Sequence, residues 1–242
     1  MTGPIVVSRA DWLAERLRLL EEEKAFTRQR DALSARRRAL PWVRVEKAYV
    51  FETPAGALSL SEIFTGRDQL IVYHFMFGPD WELPCKSCSF WADNFNLIPD
   101  HLAQRDTAFV AISRAPLARL DAFKTRMGWS FPWYSSGDGD FNHDFGVSFQ
   151  RAEVEAGTAT YNYRPTTTRM SDLVGISVFA RDAAGGVFHT YSTYGRGVDM
   201  LNGAYHYLDL TPKGRDEAGL EFSQSWVRHR DRYDADVEPG RA

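Results

Sequence analysis

Leu70-Ile71-Val72-Tyr73-His74-Phe75-Met76-Phe77-Gly78 runs into Pro79-Asp80-Trp81-Glu82-Leu83-Pro84, then Cys85-Lys86-Ser87-Cys88, then Ser89-Phe90-Trp91-Ala92-Asp93-Asn94-Phe95. The unbroken apolar run closed by Gly-Pro predicts a strand buried on both faces. A turn follows, and a helical pattern starts at the two cysteines, the only ones among 242 residues. Two thiols spaced Cys-x-x-Cys, where a helix follows a buried strand, make a redox motif.

The physics of that motif assigns roles. Unpaired N–H groups and the positive end of the dipole at a helix start favour thiolate, the nucleophilic form. Lys86, between the cysteines, adds a positive charge, and Ser87 fills the second intervening position. One helical turn brings residues three apart onto one face, within disulfide reach. Cys85, at the exposed first position, is expected to attack. Cys88, one turn further in, is expected to resolve the mixed disulfide.

Composition narrows the alternatives. Hydrophobic residues make up 44 % and charged residues 25 % of the chain, as in an ordinary folded protein. The 7 Trp, 10 Tyr and 16 Phe predict a core built on rings. A net charge of −3 gives no electrostatic case for nucleic acid or an anionic membrane. No apolar run approaches the roughly 20 residues that span a bilayer. Residues 1–10 lack a basic start followed by an apolar stretch, so the expectation is a cytoplasmic protein. In a reducing compartment a close cysteine pair is catalytic, redox-sensing or metal-binding rather than a structural staple.

Outside the motif, Ser8-Arg9-Ala10-Asp11 reads as a helix cap, and no Gly or Pro interrupts the chain from there to Leu40. Trp12, Leu13, Leu17 and Leu20 form a narrow apolar stripe, and Arg36-Arg37-Arg38 closes the helix. So long and half-polar a helix is expected to lie along another surface, its own sheet or a second subunit, and a homodimer paired through this arm is the hypothesis that the second alternative carries. Val43–Glu52 reads as one strand and Thr53-Pro54-Ala55-Gly56 as a turn. Leu58–Phe64 reads as a strand or short helix. Ser89–Arg105 continues as helix with a kink or break at Pro99. Thr107–Ser113 is a second buried strand, Leu117–Met127 a helix stopped by Gly128, and Trp129–Ser135 a third strand. Residues 135–169 read as loop. Asp138, Asp140 and Asn142 alternate there, without the flanks and closing Glu of a calcium loop, and so read as a plain turn. Gly175–Asp182 and Gly186–Tyr194 form a hairpin, and Tyr205–Leu210 a last short helix or strand. Beyond Thr211 the chain is polar, with Trp226-Val227-Arg228-His229 its apolar anchor and disorder expected at the end. This divides the chain into a helical arm (1–40), an α/β domain (41–210) and a C-terminal tail (211–242).

Strand, Cys-x-x-Cys helix, strand, helix and antiparallel hairpin follow one another as in the thioredoxin fold: a central mixed sheet flanked by helices, here with an N-terminal helical arm. The wording of Phe77-Gly78-Pro79-Asp80-Trp81, Cys85–Asp93, Met127-Gly128-Trp129, Phe141-Asn142-His143-Asp144-Phe145-Gly146, His189–Gly197 and Trp226–His229 resembles a bacterial thioredoxin-like family, domain of unknown function 899. The resemblance implies a dithiol–disulfide oxidoreductase with Cys85 and Cys88 as catalytic pair. Three departures from thioredoxins stand out. Trp81 lies four residues before Cys85. No proline separates the cysteines. Gly175-Ile176-Ser177 occupies the start of the hairpin, where thioredoxins place a cis-proline that shapes the peptide groove, so these residues are the substrate-groove candidates. Tyr73 or His74 falls roughly where thioredoxins bury a proton-moving carboxylate, and His74 titrates in the useful range, although a hydrogen-bonded core histidine is the favoured reading of it.

Three rivals remain. A peroxiredoxin-type site needs Pro-x-x-x-Thr/Ser-x-x-Cys, and neither cysteine has it. A structural zinc needs four ligands, and the single Cys pair is joined by no His pair of suitable spacing. A redox-inert binding module would use the rings at Trp81, Phe90, Trp91, Trp129, Trp133, Tyr191 and Tyr194. The expectation is therefore a dithiol–disulfide oxidoreductase with no bound cofactor and no metal. It would exchange electrons with a thiol or disulfide partner.

Overall fold

The computed structural model describes residues 3–233, and the disorder expected of the last residues concerns 234–242, outside that range. The chain divides after Pro41 into two compact units. The first is built on α1 (Arg9–Arg38). Ser8 caps it as its spacing predicts, accepting the Asp11 backbone N–H at 3.1 Å. Along its length Arg16 pairs with Glu23 and Lys24 with Glu21, and the three arginines of the last turn suit its C-terminus.

The second unit begins with β1 (Val43–Arg44), β2 (Val50–Thr53) and β3 (Gly56–Ser59), then a 3-10 turn at Glu62–Phe64 and β4 (Gln69–His74). Next come α2 (Lys86–Ala92), α3 (Ile98–Ala103), β5 (Thr107–Ser113), α4 (Leu117–Met127) and β6 (Trp133–Ser135). Short pieces follow: α5 (Phe141–Asp144), α6 (Arg151–Ala156), β7 (Thr160–Tyr161) and β8 (Arg164–Pro165). The hairpin β9 (Gly175–Arg181) and β10 (Val187–Tyr194), a 3-10 stretch at Gly195–Leu201 and α7 (Gly203–Leu208) complete the regular elements, except for a 3-10 turn at Arg230–Arg232.

Eight strands form one sheet in the order β1-β10-β9-β4-β5-β6-β2-β3, and β7 and β8 pair separately. At its centre β4 runs parallel to β5 and antiparallel to β9, and β9 is antiparallel to β10. That is the thioredoxin-like arrangement, a mixed sheet flanked by helices. Alternation along β4 sends its side chains into two cores. Tyr73 joins a cluster with Phe75, Phe77, Cys88, Trp91 and Phe95, whereas Leu70 and Val72 join Phe51, Ile63, Phe64 and Phe179. Aromatic edges meet throughout, as in the Tyr73–Phe95 pair with ring centroids 4.9 Å apart.

Four predicted elements change. Val43–Glu52 is two strands, β1 and β2, on opposite sides of the sheet: β1 pairs with β10, and β2 with β3 and β6. The helix expected over Ser89–Arg105 breaks after Ala92, and Pro99 opens α3 rather than kinking a continuous helix, because its missing N–H costs nothing in a first turn. Leu97, at φ 68°, makes the join. The strand expected over Trp129–Ser135 shortens to Trp133–Ser135. The segment read as loop over 135–169 holds α5, α6 and the β7–β8 ribbon. Two of these are too short to give a period: α5 has 4 residues, and β7 and β8 have 2 each.

Candidate functional site

The end of β4 delivers the chain to the two cysteines. The Cys85 backbone N–H donates to the Met76 carbonyl at 3.0 Å, which ties the start of α2 to the chain just beyond the strand. Cys85 is the N-cap of α2: its sulfur accepts the Cys88 backbone N–H at 3.5 Å, as Ser or Asp oxygens do at other caps. Both cysteines are free thiols, Cys85 partly exposed and Cys88 buried.

Their environments push the two thiols apart. Cys85 is lowered to about 7, first by the S–H that Cys88 donates to it, then by the N–H groups of Cys88 and Ser87 and the Ser87 hydroxyl, against a burial cost. Cys88 is raised well above the ordinary thiol value by burial and by the neighbouring Cys85 sulfur. The Met76 N–H and the Tyr73 hydroxyl act in the opposite sense on Cys88. Near neutral pH Cys85 therefore exchanges between thiol and thiolate, and the thiolate receives a hydrogen bond from the Cys88 thiol. A thiolate that meets solvent and a protonated thiol behind it are the two components of exchange chemistry.

Cys85 and Cys88 open into a cavity of about 320 Å³. Its floor is apolar, with Met76, Trp91, Val174 and Val198, and it also includes Arg196, Asp199 and Gln224. Arg196 and Asp199 form an ion pair at 3.2 Å. Among the described residues no three His, Cys, Asp or Glu side chains group together to hold a metal ion, and no helix is long and apolar enough to cross a membrane.

The other sequence-selected residues fall in different places. Ser87 lines the cavity and helps hold the thiolate. The Lys86 ammonium turns to the C-terminal segment, donating to the Ser225 carbonyl at 3.1 Å and lying 5.9 Å from the centre of the Phe222 ring. Trp81 packs against the aromatic core, and Gly78 makes room for its indole: a Cβ there would sit 2.9 Å from Nε1. His74 faces away from the cysteines. Its Nε2 shares a hydrogen bond with Ser177 Oγ at 2.8 Å, and its ring packs on Phe141. Burial lowers it to about 3, so it is neutral at physiological pH. Tyr73, the adjacent residue, takes the cysteine side, with a buried hydroxyl that meets no well-formed hydrogen-bond partner.

Gly175, Ile176 and Ser177 are all buried within β9 and do not line the cavity; Val174, one residue earlier, does. Ser177 belongs to a polar chain on the other face: His74 Nε2, Ser177 Oγ, Ser192 Oγ and His189 Nε2 connect at 2.8, 2.9 and 2.7 Å. Sequence reasoning missed Val174, Val198, Asp199 and Gln224. They come from the position just before β9, the stretch after β10 and the C-terminal segment, and only the three-dimensional fold joins them. Arg196 had one signal, its place in the run Tyr194-Gly195-Arg196-Gly197 that resembles the family.

No curated protein matches the sequence. Among solved structures, the chain is similar to peroxidoxin BcpB from Mycobacterium tuberculosis at 14 % identity and TM-score 0.43, covering 67 % of this chain and 92 % of that one. A cysteine-to-serine mutant of peroxiredoxin Q from Xanthomonas campestris gives 14 % and 0.44, covering 65 % and 90 %. A hypothetical protein from Sinorhizobium meliloti gives 15 % and 0.37, covering 60 % and 67 %. Likenesses this distant say nothing about chemistry. A family model described as bacterial protein of unknown function (DUF899) matches residues 1–233. The chain, with its Cys-x-x-Cys at the head of α2, belongs to that bacterial family.

Proposed function

We propose that this protein is a dithiol–disulfide oxidoreductase in which Cys85 attacks and Cys88 resolves. The observation that carries this reading is the Cys85 sulfur, held as the acceptor of the Cys88 N–H at the mouth of a cavity and lowered to about 7. A structural cysteine pair has no need of a stabilised thiolate facing open space.

In the reduced state Cys85 attacks one sulfur of a disulfide in the cavity. The Ser87 and Cys88 N–H groups hold the thiolate until that bond forms. Cys88 must then lose its proton to attack Cys85 Sγ. Tyr73 and the Met76 N–H, the two groups that favour ionised Cys88, help carry that step. Their support is differential, because the negative charge appears on Cys88 only as resolution proceeds.

A trapping experiment tests the assignment. Cys88→Ser is expected to accumulate a stable mixed disulfide on Cys85 with a small disulfide reagent, whereas Cys85→Ser forms none at neutral pH. Adduct formation on Cys88 in the Cys85→Ser protein at a comparable rate would overturn the order of attack. Absence of adduct in both variants would overturn the function.

A further inference from the structure

Residues 212–233 form a strap beside the cysteines, and its anchors are specific. Glu217 accepts from Tyr205 Oη at 2.8 Å, the Gln224 N–H at 3.0 Å and Trp226 Nε1 at 2.6 Å. Trp226 lays its ring edge-on to Phe90 of α2, with centroids 5.5 Å apart. Ser225 receives the Lys86 ammonium, and His229 Nε2 bonds the Pro84 carbonyl at 3.1 Å, immediately before Cys85. Further along, Asp231 holds Arg126 of α4 at 2.6 and 2.9 Å, and Arg230 reaches Asp93 at 3.1 Å. Val227 is fully buried.

The strap therefore occupies the surface beside the cysteines that a protein partner would have to cover. A protein disulfide arrives within a contact face of hundreds of Å². Here Pro84, Lys86 and Phe90, which flank the thiols, are already engaged. An open approach is the cavity of about 320 Å³, lined on one side by the 3-10 stretch Gly195–Leu201 and on another by Gln224 of the strap. That volume is at the lower end of small-ligand pockets, roughly 300–1,000 Å³.

Resting on the function proposed above, we infer that the substrates are low-molecular-weight disulfides and thiols, and that the strap excludes protein disulfides. The balanced step begins with the Cys85 thiolate, the Cys88 thiol and R–S–S–R. Cys85 bonds to one sulfur, the R–S–S–R bond breaks, and RS⁻ leaves. Cys88 gives up its proton and attacks Cys85 Sγ, which releases the second RS⁻. One leaving group takes the Cys88 proton and the other takes one from water. Two electrons have passed from the protein to the substrate, and the Cys85–Cys88 disulfide remains. Two further low-molecular-weight thiols reverse the step and regenerate the dithiol.

The test uses the reduced full-length protein with hydroxyethyl disulfide, with insulin, and with diamide as a substrate-independent oxidant. Closure of Cys85–Cys88 is followed by alkylation and mass. Hydroxyethyl disulfide is expected to close the pair about 100-fold faster than insulin does, beyond what intrinsic disulfide reactivity alone gives. Glu217→Ala and Asp231→Ala, which loosen two separate anchors, are expected to raise the insulin rate about tenfold and leave the hydroxyethyl disulfide rate unchanged. Insulin reacting as fast as the small disulfide in the unmodified protein would overturn the inference, whether or not the variants fold. So would folded variants with no gain toward insulin. Closure by diamide but by neither disulfide sinks the substrate class alone. If diamide also fails, the redox function itself falls.

Discussion

The backbone N–H of Cys88 points at the sulfur of Cys85 across 3.5 Å, so the first thiol caps the helix that carries the second. Ionisation of Cys85 and formation of α2 are therefore linked. Cys85 lies at about 7, and its alkylation by iodoacetamide should rise with pH along a curve with its midpoint near neutrality. Cys88 should stay unmodified until the protein is unfolded. A midpoint at the ordinary thiol value would show that the cap does not hold a thiolate.

Tyr73 presents its buried hydroxyl toward Cys88 and acts there to favour ionisation. Tyr73→Phe should leave Cys85 alkylation unchanged and slow the closing of the mixed disulfide about tenfold, the size of one hydrogen bond to a developing charge. Because the hydroxyl meets no well-formed partner in the resting protein, its removal should cost little stability. Stopped-flow closure of a preformed Cys85 mixed disulfide separates the two effects. An unchanged closing rate would remove Tyr73 from the mechanism.

His74 belongs to the stability of the sheet. Its folded value is lowered to about 3 from an ordinary 6.5, so the unfolded chain takes up a proton more readily than the folded one. The stabilisation is complete above about pH 6.5 and is lost as pH falls toward 3. The span corresponds to about 4–5 kcal/mol at most. His189, also lowered by burial, acts in the same direction. Urea midpoints measured from pH 7 to pH 4 should fall steeply for the natural protein and less steeply for His74→Leu. Parallel curves would contradict this assignment.

Gly175 allows β9 to press against its neighbours. A Cβ there would lie 2.8 Å from Tyr194 Cδ1 and 2.8 Å from Val147 Cγ1. Gly175→Ala should cost about 1–3 kcal/mol through overpacking. It should also leave the pH dependence of Cys85 alkylation untouched, because the residue lies outside the cavity. A lower thermal midpoint with an unchanged alkylation curve checks both statements.

Local signals were readable and relational ones were not. Leu70–His74 and the cysteines after it are legible because burial, a Gly-Pro stop and a helix start are encoded within a few residues. Val43–Glu52 misleads because alternation reports a strand but not which edge of a sheet it joins. The choice between Tyr73 and His74 turns on a single alternation: neighbours on a strand face opposite ways, and only the position of α2 says which face holds the sulfurs. Gly175–Ser177 lie inside β9 and away from the cavity, and Val174, just before the strand, is the residue that reaches it. The strap was legible at Trp226–His229 but not at Glu217, an acidic residue in a polar run whose partners, Tyr205 and Trp226, lie 12 and 9 residues away.

The most direct measurement is the intact mass of the protein after diamide, after subsequent dithiothreitol, and after alkylation of each state. The account predicts loss of two hydrogens and no alkylation in the oxidised monomer, with both thiols recovered on reduction. Two alkylated cysteines after oxidation, or a bond formed only between separate chains, would contradict it.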